Sequence, residues 1–370
     1  MKKRWLDVAM ELLSLPTAPQ YEDAVVAWLE DFARRRGIRV RTDRHGNLLM
    51  HYRRGRAAAR PFVFAAHMDH PGFAAERMTK PGMLLARWRG GVPPKLFPGA
   101  RVRFFADGAW VKGRVVGSAK KHVMGKPRPT LVRVERAVPP GSVGMWDFGE
   151  PTLRGNLLRA RGHDDVAGVA AIAAALDEAR RTRLRGEFYA FFTRGEEAGM
   201  LGAVGASKSR TLSKKWVLVP LETSRELPNA RIGDGVVLRV GDLASIFTPS
   251  VTALIRAAAD GLAKRRKSFR YQRRLMDGGS CESTAYIAYG YDAGGLCLPL
   301  GNYHNVDWKR MRLAPEYIDV RDYGCLVELL LELVSYRAKP SSGPTSRAFW
   351  ERHFRRFPLR PLGATRTTRR

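Results

Sequence analysis

The chain has 370 residues, 45% of them hydrophobic, and a formal net charge of +30. That length and apolar content exclude a disordered chain and provide for a large core, with room for two domains. No apolar run is long enough to cross a bilayer, and three cysteines without paired spacing (Cys281, Cys297, Cys325) exclude a disulfide framework and a thiolate zinc site.

Met1-Lys-Lys-Arg4 has the look of a leader, but Asp7 and Glu11 interrupt the apolar run behind it, so a helix from Trp5 to Leu15 and a cytoplasmic protein are expected. A second amphipathic helix runs from Tyr21 to Ala33, ends in basic residues and stops at Gly37. Ile38–Arg41 and Leu48–Tyr52 alternate as strands, and Pro61–Ala66 is an apolar run suited to a buried strand. From about residue 76 to 158 glycine and proline rise and helical periodicity disappears. Short β-rich runs at 101–105, 110–116 and 130–134 then point to a small β-barrel or sandwich inserted in an α/β domain.

Behind Gly162-His-Asp-Asp165 lies an alanine-rich run to Ala179, apolar at nearly every position, which reads as a buried helix with Asp164 and Asp165 at its N-terminus. Strands follow at Glu187–Phe192, Trp216–Leu221 and Leu296–Leu300, with helices over 251–262, 283–289 and 315–336. Alternation of this kind implies a mostly parallel sheet flanked by helices. The expected division is a catalytic domain of residues 1–75 and 159–338, an inserted barrel of residues 76–158, and a basic tail of residues 339–370, extended or only partly ordered.

Open α/β sheets bind ligands beyond the carboxyl ends of their strands. His67 and Asp69 follow the first buried strand, Glu196-Glu197 the strand at 187–192, Glu222 the strand at 216–221 and His304 the strand at 296–300, while Asp164 stands at a helix start. Two imidazoles and three carboxylates (His67, His304, Asp164, Glu197, Glu222) suit two divalent cations sharing one carboxylate, a pair that lowers the pKa of a shared water from about 15.7 to roughly 7. The other glutamate of the pair, Glu196, is then free to take the water's proton, and Asp69 to fix the His67 tautomer. Glu222 or Glu282 would meet a substrate amine, whereas His70 and His163 read as wall residues.

The motifs His67-Met-Asp-His-Pro-Gly72, Gly162-His-Asp-Asp165, Thr193-Arg-Gly-Glu-Glu-Ala-Gly199, Leu221-Glu-Thr-Ser224 and Tyr303-His304 resemble those of the dinuclear-metal aminopeptidases, the tetrahedral, glutamyl and deblocking enzymes, across roughly residues 5–336. The resemblance implies one metal on His67, Asp164 and Glu222, a second on Asp164, Glu197 and His304, Asp164 bridging and Glu196 as general base. It also implies a peptide substrate and assembly into dimers or dodecamers. The donor set favours zinc and admits cobalt or manganese. Val166 stands where the family usually has Arg, and Glu222 where it usually has Asp. Glu is commoner there in related carboxypeptidases and N-acyl amino-acid deacylases, the nearest alternative activities. A third reading, from another class, is a non-catalytic basic protein that adheres to polyanions. No nucleic-acid motif accompanies the charge, so neither nucleic acid nor membrane is an expected partner.

Overall fold

The computed structural model describes residues 1–118, 126–336 and 347–357. Two compact units are present, Met1–Ser335 and Tyr336–Arg370.

The first unit opens with α1 (Lys3–Ser14) and α2 (Asp23–Arg35), each burying one stripe, Trp5, Ala9, Leu12 and Leu13 on the former and Val25, Leu29, Phe32 and Ala33 on the latter. Strands β1 (Val40–Thr42), β2 (Leu48–Arg54) and β3 (Phe62–His67) follow, and β3 is buried along its whole length.

The chain then builds a barrel from β4 (Gly72–Lys80), β5 (Met83–Arg89), β6 (Arg101–Ala106), β7 (Ala109–Ser118), β8 (Arg128–Val134) and β9 (Val143–Trp146). It closes antiparallel in the order β4-β5-β8-β7-β6-β9. Closure works because alternate residues point inward: on β5, Leu84, Ala86 and Trp88 are buried while their neighbours are partly exposed. Phe73, Trp88 and Trp146 fill the centre, with ring centroids 4.6 Å and 4.8 Å apart.

Strands β10 (Thr152–Arg154) and β11 (Leu157–Ala160) lead to the long helix α3 (His163–Arg181). Next come β12 (Gly186–Thr193), α4 (Leu201–Ser209), β13 (Val217–Arg225), β14 (Val236–Asp242), α5 (Pro249–Arg265), β15 (Tyr271–Met276), α6 (Glu282–Ala288) and β16 (Leu296–Leu300). A short hairpin, β17 (Val306–Asp307) with β18 (Arg312–Leu313), precedes β19 (Glu316–Asp319) and α7 (Val320–Ser335).

Eight strands form one sheet in the order β1-β2-β12-β3-β13-β16-β14-β15. The central β12, β3, β13 and β16 are mutually parallel, so their carboxyl ends share one edge, while β2 and β14 run against their inner neighbours. Helices cover both faces. Val63 and Ala65 of β3 pack with Ala203 and Ala206 of α4 and Tyr286 of α6, and the alternate residues face α3. Lying between the sheet and α1 and α7, α3 is buried nearly all round. Alanine at most of its positions is what lets neighbours approach from every side.

Among the elements that carried no sequence signal strong enough to expect them are α4, β14 and β15. The helix anticipated over 315–336 also starts later, at Val320, because residues 316–319 pair with β11 as β19. That pairing delivers the Glu316 carboxylate to buried backbone N–H groups. None of the three cysteines is bonded to another, and all are buried. Among the described residues no helix is long and apolar enough to cross a membrane.

In the second unit, α8 (Arg347–Arg356) corrects the expectation of an extended tail within the described residues. An Arg347–Glu351 pair and a Phe349–His353 stack, each four residues apart, support it. The remaining tail residues lie outside the described ones.

Candidate metal centre

Every sequence-nominated group sits at the carboxyl edge of the central strands. His67 ends β3, Asp164 opens α3, Glu196 and Glu197 form a 3-10 turn behind β12, and His304 lies in a 3-10 turn behind β16. Glu222 differs in one respect: it lies within β13, which runs on to Arg225 instead of stopping at Leu221.

The structure brings these groups together. His67 Nε2 lies 3.4 Å from Asp164 Oδ1 and 3.5 Å from Glu222 Oε1. His304 Nε2 lies 3.6 Å from Asp164 Oδ2 and 3.0 Å from Glu197 Oε1. Ligand atoms of His67, Asp164 and Glu222 all fall within 4.8 Å of one another, as do those of Asp164, Glu197 and His304, so Asp164 belongs to both groups. The fourth carboxylate, Glu196, reaches to 3.9 Å from His67 Nε2 without joining either group.

The tautomers follow from the hydrogen bonds. His67 Nδ1 is 3.1 Å from the carbonyl oxygen of Asp69, and His304 Nδ1 is 3.1 Å from that of Gly91. A carbonyl only accepts, so both Nδ1 atoms carry hydrogen and both Nε2 atoms of the neutral rings offer a lone pair to the cluster. Those two nitrogens, with Asp164 Oδ1 and Glu197 Oε1, are buried without a hydrogen-bond partner. Lone pairs facing carboxylate oxygens in a dry pocket repel unless a proton or a metal cation lies between them. Burial first, then the neighbouring carboxylates, raises Glu196 well above its ordinary pKa, and burial with the adjacent Asp164 lifts Glu222 to about 8. A cluster with this donor set could hold metal.

Asp69 meets the His67 ring through its carbonyl, 3.1 Å from Nδ1, and through its carboxylate, 3.5 Å from Nδ1. The carboxylate also accepts the backbone N–H groups of Glu196 and Glu197 at 2.9 Å and 3.0 Å. It therefore fixes the turn that carries the base candidate. Glu22 holds the preceding residue, accepting from Gly195 N–H at 2.9 Å and from Arg194 Nε at 2.7 Å. Gly168 clears the other side, since a Cβ there would lie 2.3 Å from the Asp165 carboxylate, whose Oδ1 accepts from Thr223.

Glu316 escaped the sequence reading. Fully buried, it accepts the N–H groups of His163 (2.8 Å) and Asp164 (3.3 Å) through one oxygen and that of His304 (2.9 Å) through the other. One carboxylate thus sets the distance between the bridging aspartate and the second imidazole. No motif marks it, because its role depends on β19 arriving beside α3. His70 bridges the Asp164 carbonyl and the Asn305 side chain, and His163 turns away to the Leu158 carbonyl; neither joins the two ligand groups.

A cavity opens beside the cluster, lined by Asp164, Glu196, Glu222, Tyr303, Arg225 and Arg239 among others. Glu282, considered for a substrate amine, does not line it; it is buried at the start of α6. Arg239 is 2% exposed, donates to Ser224 Oγ at 3.0 Å and leaves Nε unpartnered. No carboxylate among the described residues pairs with it within 4.0 Å.

A family model of the M42 glutamyl aminopeptidases matches residues 46–131 and 132–312. The chain belongs to the M42 glutamyl aminopeptidase family. Its fold is shared with an aminopeptidase from the archaeon Desulfurococcus kamchatkensis (TM-score 0.75, 20% identity, covering 91% of this chain and 96% of that one). A TET aminopeptidase from a marine sediment thaumarchaeon (0.74, 17%, 90% and 96%) and the TET1 peptidase of Pyrococcus horikoshii (0.71, 20%, 89% and 99%) are similar as well. The latter is described as assembling into a tetrahedron or a large octahedral shell. Membership places this M42 protein among the peptidase hydrolases, in line with the sequence resemblance.

Proposed function

We propose that the chain is a dinuclear metallo-aminopeptidase that removes N-terminal residues from peptides, with His67, Asp164 and Glu222 holding one cation and Asp164, Glu197 and His304 the other. The observation that carries this reading is the pair of imidazole lone pairs, each fixed by a carbonyl at Nδ1, aimed at unpartnered carboxylate oxygens. When bound, the ions would polarise the scissile carbonyl and acidify the attacking water. Glu196 is the residue that takes a proton at its carboxylate and returns it to the leaving amine, which requires that it stay outside both ligand groups, as it does. Asp69 and Glu22 keep it in position. Zinc suits the donor set first, cobalt and manganese next.

Arg239, with Arg225 at the cavity wall, supports an acidic side chain on the residue removed. The substrate amine would meet Glu222, the carboxylate shared by the cluster and the cavity wall. Assembly into a homo-oligomer is part of the same proposal, by analogy with the TET1 peptidase.

A second reading, a carboxypeptidase or N-acyl amino-acid deacylase, draws on the same arginine, which would equally hold a substrate's free carboxylate. Metal analysis of the purified protein, together with hydrolysis of glutamyl, leucyl and lysyl anilides and of N-acetyl amino acids, decides between them. Two ions per chain and turnover of the free-amine glutamyl anilide are expected. Turnover of only the blocked substrates would move the assignment to the second reading, and absence of bound metal would remove both.

A further inference from the structure

The opposite edge of the sheet carries a second concentration of charge that the peptidase reading does not use. There β2 ends in Arg53 and Arg54, α2 ends in Arg35 and Arg36, and α3 ends in Arg180 and Arg181, followed by Arg183. These residues surround one cleft of about 540 Å3 with Tyr52 and a single acid, Asp177. The cleft lies a full helix away from the metal centre, because α3 starts at one and ends at the other, and its 19 residues span about 28 Å.

Arginines at helix C-termini ordinarily offset exposed carbonyls and the helix dipole. Here the carbonyls are already served. Tyr52 Oη donates to the Ala179 and Leu184 carbonyls at 2.9 Å and 2.7 Å, and Thr182 Oγ1 donates to that of Glu178 at 2.7 Å. On α2, backbone N–H groups of Arg36, Gly37 and Ile38 cover the last carbonyls.

The ion pairs are also used up. Asp177 is taken by Arg36 at 2.6 Å, Arg35 by Asp31 at 2.7 Å, and Arg181 by Glu178 at 2.8 Å. Arg36 is held further by stacking on Phe32, 3.8 Å from the ring centroid. That leaves Arg53, Arg54, Arg180 and Arg183, whose side chains have no ion pair or hydrogen bond among the described residues, around a cleft with no carboxylate to spare. Four cations from two separate chain segments repel one another, and the fold holds them together regardless.

We propose that this cleft binds a compact oligophosphate, a chain of three or more phosphates whose closely spaced charges match guanidinium forks arriving from β2 and α3. Guanidinium recognises phosphate oxygens in pairs, which ammonium groups cannot do. The cleft is open to solvent and has room for a short phosphate chain. The chemistry is shared by an inorganic chain and by the triphosphate of a nucleotide. This site is independent of the metal centre and of the activity assigned to it.

The test is calorimetric titration of the full-length protein with inorganic tripolyphosphate and, separately, with ATP. The wild-type chain is compared with an Arg53→Gln/Arg180→Gln variant and with a charge-matched Lys80→Gln/Lys112→Gln variant on the exposed barrel surface. Expected is one saturable site per chain, weakened at least about tenfold in the arginine variant and less than about twofold in the lysine variant, and lost progressively as salt is added. Equal affinity for both probes would assign recognition to the phosphates alone, and tighter ATP binding would make a nucleotide the source. Equal weakening in the two variants would reduce the effect to bulk charge or to metal extraction at the distant centre, and would overturn the proposal. So would absence of a saturable site below about 1 mM, or binding of single-stranded oligonucleotide without binding of tripolyphosphate.

Discussion

The two ends of α3 put acidic side chains to opposite uses. At its start, Asp164 lies among other buried carboxylates, and the hydrogen-bonding capacity around it is left open: His67 Nε2, His304 Nε2 and two carboxylate oxygens have no partner.

 At the far end of the helix Glu178, 2% exposed, accepts from Lys2 Nζ at 2.7 Å, Arg4 Nε at 2.8 Å, Trp5 Nε1 at 3.2 Å and Arg181 Nη2 at 2.8 Å. A saturated carboxylate ties α1 to α3 and is stability. An unsaturated cluster is a place where stability has been given up for ligands.

Four substitutions break or sharpen that contrast. Glu196→Gln is expected to lower turnover by about two to four orders of magnitude while metal content and melting temperature stay unchanged; near-normal kcat on an anilide substrate would remove Glu196 from the mechanism. Glu316→Gln should lower both metal affinity and stability, the latter on the order of 1–3 kcal/mol, because an amide cannot accept all three backbone N–H groups through two oxygens. Metal titration and thermal unfolding of the same preparation would show the two losses together, and loss of neither would make Glu316 a bystander. Arg239→Gln should cut the preference for glutamyl over leucyl anilide by roughly tenfold, read as a change in KM more than in kcat; an unchanged ratio would take that side chain out of substrate selection.

Glu178→Gln should leave activity intact and reduce stability. The Lys2, Arg4 and Arg181 groups hold the Glu178 carboxyl at about 2, against an ordinary 4.5, despite burial, which pushes it the other way. A depressed folded-state pKa contributes stability that is present above the ordinary value and is lost as pH falls from about 4.5 towards 2. The difference in melting temperature between wild type and variant should therefore shrink on acidification through that range, and a difference independent of pH would show that the carboxylate charge is not what stabilises this end.

Much of the centre was legible because its ligands sit where chain order puts them, directly behind short apolar strands. His67, Asp164, Glu196, Glu197 and His304 each follow a strand or open a helix, and parallel strands gather such positions at one edge. Glu222 was legible as a residue but not as part of a continuing strand, since nothing in Leu221-Glu-Thr-Ser-Arg225 marks where pairing with β16 ends. The barrel could be read from its turns and alternation, whereas β14 and β15 at the sheet's far side could not.

What the sequence determined alone was the α/β texture with its β insertion, the alanine helix that has to be buried, and the residue types able to grip cations. Local periodicity and side-chain chemistry are enough for those. The tertiary structure decided which atom of each histidine faces the cluster, that Asp69 serves the turn as well as the imidazole, that Glu316 joins Asp164 to His304, and that four arginines with unpaired side chains share a cleft. Each of these depends on contacts between segments far apart in the chain, and no local pattern carries that information.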